Sequence, residues 1–186
     1  MHMHPDAKTV TPLAALTASL LAAGLLLLPL SAHAAGGGSP APVSCPKGKV
    51  YSESKKKCVK IHSNLLKDEE RYKQGWALAK HGYYEKAIEV LKTADQNDPR
   101  VLNYLGYSYR KSGDLKTGIR YYKAALAINP DFVLAREYLG EGYVKAGRLD
   151  LAKLELEQIK KICGTTCEEY VELAQVILTG TERTRW

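Results

Sequence analysis

The chain has 186 residues, 45% of them hydrophobic and 25% charged, with a formal net charge of +7. A net +6 of that charge falls between Cys45 and Lys67, where Lys47, Lys49, Lys55, Lys56, Lys57, Lys60 and Lys67 face the single acid Glu53. The basic isoelectric point therefore describes one short segment, and the remainder of the chain is nearly neutral.

The first 34 residues read as a presequence. Lys8 and the amino terminus precede an apolar run from Leu13 to Leu30, and Ser31-Ala32-His33-Ala34 supplies the small-residue pattern for cleavage after Ala34. An uncleaved anchor is the alternative, since about eighteen apolar residues lies near the lower limit for a bilayer span. Gly24, Pro29 and the Ala-His-Ala ending favour removal. Cleavage leaves 152 residues, enough for one domain with a modest core. The expected location is periplasmic or secreted, which disfavours nucleic acid as a partner.

Residues 35–44 form a Gly, Ser and Pro linker with nothing to bury. Residues 45–63 read as a Lys-rich hairpin, with Val50 and Val59 flanking a polar turn and Cys45 and Cys58 at its base. An even number of cysteines in an oxidising compartment suggests disulfides; of the three possible pairings the local one, Cys45–Cys58 with Cys163–Cys167, is favoured, with free thiols or a metal site as the alternatives. The first bridge closes a 14-residue loop and stabilises it by about 3 kcal/mol on the chain-entropy model. Lys55, Lys56 and Lys57 have two readings: a solvated loop, or a patch that docks onto anionic lipid, cell-wall polymer or an acidic protein.

From residue 64 onward the apolar period is helical. The first helix pair is expected over Leu65–Lys80 and Tyr84–Asp95, the second over Arg100–Lys111 and Leu115–Ile128, and the third over Phe132–Lys145 and Asp150–Ile162. Ser112-Gly113-Asp114 reads as C-cap, turn and N-cap. Pro99 suits a first helical turn. A last helix, Thr166–Leu178, is expected to start with a capping box between Thr165 and Glu168.

Gly106 and Gly140 are 34 residues apart, as are Gly118 and Ala152, whereas Gly75 to Gly106 and Ala87 to Gly118 are 31. Three units of helix, turn and helix therefore recur over about residues 68–98, 99–132 and 133–164, with a capping helix at 166–179. The shortfall of three residues is expected near Pro99, as a trimmed helix start.

No H-E-x-x-H, G-x-S-x-G or phosphate-binding glycine loop is present. Of the histidines outside the presequence, His81 precedes Gly82 at a helix end, where capping is the usual role. Cys163 and Cys167 lack the C-x-x-C spacing of redox and zinc motifs. The expectation is a protein that is not an enzyme, without metal or cofactor.

Leu105, Gly106, Tyr109, Gly118, Tyr122, Ala125 and Pro130 resemble the tetratricopeptide repeat pattern. Leu139, Gly140, Tyr143, Ala152, Leu156 and Ile159 repeat it, as do Gly75, Leu78, Ala87, Leu91, Ala94 and Pro99. The departures are the short first junction, glycine for alanine at Gly118, and the absence of a proline closing the third unit. The resemblance implies an all-α, TPR-like helix-turn-helix solenoid of about three repeats, extending from residue 64 to 186 behind the clipped hairpin.

It also implies that the first helix of each pair lines a concave face. That puts Tyr72, Trp76, Asn103, Tyr107, Arg110, Glu137 and Glu141 toward a groove, with Tyr104 and Tyr138 nearby. Relatives that grip a C-terminal carboxylate use a lysine and asparagine clamp. The matching positions here hold Tyr72, Trp76, Tyr104, Leu134 and Tyr138, which implies another mode of recognition. The expected function is an interaction module that binds a protein or peptide segment in an aromatic groove. The alternative is an envelope assembly factor acting by self-association or by docking through the lysine hairpin.

Overall fold

The structure is a computed structural model that describes residues 41–181. The expected presequence, and the linker as far as residue 40, lie outside the described residues. Two strands, β1 (Lys49–Ser52) and β2 (Lys57–Lys60), precede seven helices: α1 (Asp68–Lys80), α2 (Tyr84–Leu91), α3 (Pro99–Lys111), α4 (Leu115–Ile128), α5 (Val133–Lys145), α6 (Leu149–Cys163) and α7 (Glu168–Thr179). Consecutive helices pair as α1/α2, α3/α4 and α5/α6, and α7 closes the far end: a TPR-like solenoid.

Local chemistry sets the helix ends. Asp98 accepts from the Arg100 N–H with Pro99 in the first turn, and Asp114 accepts from the Thr117 N–H at 3.0 Å, which meets two of the otherwise unsatisfied donors at those termini. Gly82, Gly113 and Gly147 take φ values of 81°, 104° and 71° in the three intra-repeat turns. Side chains are strained in that region, and glycine is not.

The close helix contacts are made by the phased small residues. A Cβ on Gly75 would lie 2.4 Å from Leu91 Cγ, and one on Gly106 would lie 2.6 Å from Tyr122 Cε1. At Gly118 the obstacle is backbone, with Gly106 O at 2.9 Å and Arg110 N at 3.0 Å. Glycine in place of alanine there is what lets α3 and α4 approach so closely. In the third repeat the position facing Gly140 is filled by Leu173 of α7, whose Cδ2 would meet an added Cβ at 2.5 Å. Leu156, expected to play the part of Leu91 and Tyr122, is only half-buried. After α6 the chain turns at Gly164 (φ 85°) beside the Cys163–Cys167 bridge, and α7 packs back onto α5.

Three expectations about boundaries are corrected. The short first junction does not trim a helix start: α3 begins at Pro99 with 13 residues, the same length as α1 and α5. Instead α2 has 8 residues against 14 in α4, while the connection after it spans 92–98 against 129–132. The loop regains half of the six residues the helix loses, leaving the deficit of three. The first helix begins at Asp68 and not at Leu65, because Leu66 turns inward ahead of it, 5% exposed. The capping box at Thr165 does not form, since α7 starts two residues later than expected, with Cys167 as N-cap and no side-chain cap bond. Cys167 is tied to Cys163, and this bridge sets the helix start.

The hairpin is antiparallel, with Val50 opposite Val59, and is closed by the Cys45–Cys58 disulfide. Its packing on the first repeat was not legible in the sequence. Val50, Val59 and Ile61 share one buried cluster with Leu78 and Val90. Arg71 of α1, 8% exposed, donates to Ile61 O, to Ser63 O at 2.8 Å and to Thr93 Oγ1 at 3.0 Å. One guanidinium thus ties the hairpin's exit, α1 and the end of α2 together. Ser54 in the turn donates from its N–H to Glu70 at 3.2 Å. The hairpin covers the open end of the stack, as terminal units of solenoids do.

Candidate functional site: an aromatic and ionic chain along the first helices

α1, α3 and α5 carry all nine residues expected in a groove, and most are joined in one continuous chain of contacts. Arg100 caps its start, stacking 4.4 Å above the Tyr72 ring while donating to Glu69 at 2.8 Å and Asp98 at 2.6 Å. Tyr72 lies 6.2 Å from Tyr104, and the Trp76 indole N–H donates to the Tyr104 hydroxyl at 2.8 Å. Tyr104 is 6.1 Å from Tyr107, and Tyr107 is 5.3 Å from Tyr138. The Arg110 guanidinium lies 5.8 Å from the Tyr107 ring and 5.7 Å from the Tyr138 ring, and donates to Glu141 at 2.6 Å and to the Tyr122 hydroxyl at 3.1 Å. Aromatic pairs at tilted angles with interleaved cations give broad contact area at low entropic cost.

Burial along this chain is uneven. Tyr72 and Trp76 are half-buried, whereas Tyr104, Tyr107, Arg110, Glu137, Tyr138 and Glu141 are all buried. Asn103 is 0% exposed, and neither its amide nitrogen nor its amide oxygen has a hydrogen-bond partner. A buried, unanswered amide costs about 1–3 kcal/mol. Evolution tolerates that cost most readily at sites with a use for the group.

The electrostatics follow from the enclosure. Burial raises the Tyr138 phenol far above its ordinary range, reinforced by Tyr104 and the Glu137 charge, so Tyr138 stays neutral. Burial also raises the Tyr72 phenol, partly opposed by Arg100. These rings offer hydroxyl hydrogen bonds and π-faces.

Arg100 is absent from the sequence-derived set although it belongs to this site. It sits beside Pro99, and its partners Glu69 and Tyr72 come from α1, 31 and 28 positions earlier. The signal that would have found it is the repeat alignment itself, which puts Arg100 one turn before Asn103. Lys55, Lys56 and Lys57 lie elsewhere, exposed on the hairpin turn, with Lys56 3.4 Å from Glu53. Cys163, Cys167 and Glu169 are the sole cluster of metal-ligating types among the described residues, and both sulfurs are committed to the disulfide.

The fold defines a helical-repeat solenoid of the tetratricopeptide type. Tetratricopeptide repeat models match residues 71–101 and 99–132. A chloroplast tetratricopeptide repeat domain-containing protein, PYG7 of Arabidopsis thaliana, is 32% identical over 81 residues, which is 44% of this chain and 27% of the relative. The chain thus spans about a quarter of that relative's length.

Three solved structures have the same fold. MamA is 22% identical with a TM-score of 0.55, covering 63% of this chain and 70% of that one. The first TPR of Spaghetti (RPAP3), bound to the HSP90 peptide SRMEEVD, is 19% identical with a TM-score of 0.53, covering 64% and 99%. The Yersinia enterocolitica type III secretion chaperone SycD, in complex with a peptide of the translocator YopD, is 20% identical with a TM-score of 0.53, covering 63% and 92%.

Proposed function

We propose that this protein is a non-enzymatic interaction module that binds a peptide segment of another protein along the inner face of α1, α3 and α5. The observation that carries the reading is the half-buried pair Tyr72 and Trp76, through which the aromatic chain reaches the surface of α1. Behind them the Asn103 amide, 0% exposed, keeps a donor and an acceptor that nothing among the described residues answers. On α1 and α3 stand Tyr72, Trp76, Tyr104, Tyr107 and Arg110, residue types enriched where binding energy concentrates. Two proteins of the same fold, SycD and Spaghetti, hold peptides. Tyrosine and tryptophan at the lysine and asparagine clamp positions point to an apolar or aromatic segment here, and away from a terminal carboxylate.

The protein acts outside the cytoplasm in this reading, after cleavage near Ala34. Support comes from the apolar run at residues 13–30 and from the two disulfides.

The test uses the chain lacking residues 1–34 as bait in a periplasmic extract, with Asn103→Leu alongside. Leucine removes the unanswered amide, so the variant should melt higher than wild type while capturing less partner. Trp76→Ala and Tyr107→Ala should also lose capture at unchanged helicity. Undiminished capture by all three variants sinks the proposal.

A second reading, self-association, is favoured by one feature: α6 and α7 leave Leu154 59%, Val171 45% and Leu178 85% exposed at the end of the stack. A concentration-dependent dimer lost in Leu178→Glu would support it.

A further inference from the structure

A cavity of about 410 Å³ lies at the seam between the clipped hairpin and the first repeat, away from the inner-face chain. Residues 42–50 form one wall, and Leu78 with Val90 forms the other. Its size falls within the range of about 300–1,000 Å³ typical of small-molecule sites. The floor is apolar, since Val50, Leu78 and Val90 are 3%, 8% and 3% exposed.

Gln74 of α1 also lines it and is 8% exposed, yet no hydrogen bond among the described residues uses its side-chain amide. A carboxamide on the wall of an accessible cavity, with no partner among the described residues, is a donor and an acceptor open to a ligand. At the rim, Lys47, Lys49 and Lys86 are opposed by Glu85 and Glu89. Charges of both signs give no strong field for an ion and leave a neutral ligand as the better fit.

We propose that this cavity is a binding site for a small, neutral, amphipathic molecule. Its ring or acyl body rests on Val50, Leu78 and Val90, and one N–H, carbonyl or carboxamide group pairs with Gln74. The hairpin is then more than a cap, because the Cys45–Cys58 bridge holds one wall of the site in place.

The experiment titrates the chain lacking residues 1–34 with N-phenyl-1-naphthylamine, an apolar fluorophore with one N–H. Saturable binding is expected, with backbone amide shifts confined to residues 43–50 and 74–90. Gln74→Leu conserves volume and should weaken binding about three- to tenfold, the value of one hydrogen bond. Val43→Trp fills the mouth from a wall residue that is 50% exposed, and should abolish binding while the melting temperature holds.

Non-saturable binding, or shifts centred on Tyr72 and Tyr107, overturns the proposal. So does unchanged affinity in either variant. If Val43→Trp melts early, the Gln74→Leu titration and the shift map decide by the same criteria.

Discussion

Arg110 of α3 and Glu141 of α5 meet at 2.6 Å across the boundary between the second and third repeats, with side chains 1% and 8% exposed. Arg110 has further partners: it also donates to Tyr122, and the Tyr107 and Tyr138 rings flank it. Removing one partner strands a charge in a low-dielectric place, and the penalty is mostly that stranding. Glu141→Leu and Arg110→Ala should each cost about 3 kcal/mol or more. The double variant Arg110→Met/Glu141→Leu should recover most of it. Chemical denaturation of the three variants checks this, and equal losses in single and double variants would contradict it.

The α3/α4 contact sets a second expectation. Gly106→Ala would drive a methyl into the Tyr122 ring at 2.6 Å, and Tyr122 is 0% exposed with nowhere to go. Gly118→Ala meets backbone, which yields less readily than a side-chain end. Both should lower stability by about 1–3 kcal/mol, the usual cost of overpacking, although alanine is the better helix former. A gain in melting temperature for Gly118→Ala would show that the helices separate freely.

Arg71 links the hairpin to the repeats, so Arg71→Ala should release the hairpin before the helices melt. Its loss leaves the Ile61 carbonyl unanswered, at about 1–3 kcal/mol for a buried acceptor, and leaves Ser63 O with the Leu66 N–H alone. Hydrogen exchange at residues 49–61 should quicken while that of α3 to α5 is unchanged. Uniform acceleration throughout would make Arg71 part of a single cooperative unit.

Acid should destabilise the first repeat. Burial alone would raise the Asp98 carboxyl, but hydrogen bonds from Arg100, together with its charge, hold it below its ordinary value. Glu70 is likewise partly buried, and the Ser54 N–H with neighbouring donors lowers it on balance. A carboxyl depressed on folding contributes stability that is fully present above its unfolded pKa and is lost as pH falls through the folded one. The melting temperature should therefore drop from the ordinary carboxylate range downward. Asp98→Asn should be less stable at pH 7 and show a shallower drop. Parallel curves for the two proteins would rule Asp98 out as a source.

Much of this was written in local pattern. The 31- and 34-residue spacings of Gly75, Gly106 and Gly140, the Ser112-Gly113-Asp114 turn and the helix start at Pro99 follow from contacts within a few residues or one repeat. Those are the ranges over which helix period, capping and small-residue packing act. The two disulfides were legible for the same reason, each pair being close in sequence. The nine candidate site residues could be placed on their helices from the repeat phase, but their linkage could not. Trp76 reaches Tyr104 28 residues on, and Arg110 reaches Glu141 31 residues on.

What the sequence by itself determined is the repeat, its turns and the small residues through which paired helices touch, because each unit repeats the same local rules. Only the tertiary structure decided that Leu173 and not Leu156 fills the place opposite Gly140, that Arg71 fastens the lysine hairpin to the stack, and that Gln74 faces a cavity at their seam. Those outcomes depend on which non-neighbouring surfaces are pressed together, and van der Waals contact and desolvation are scored only once they meet.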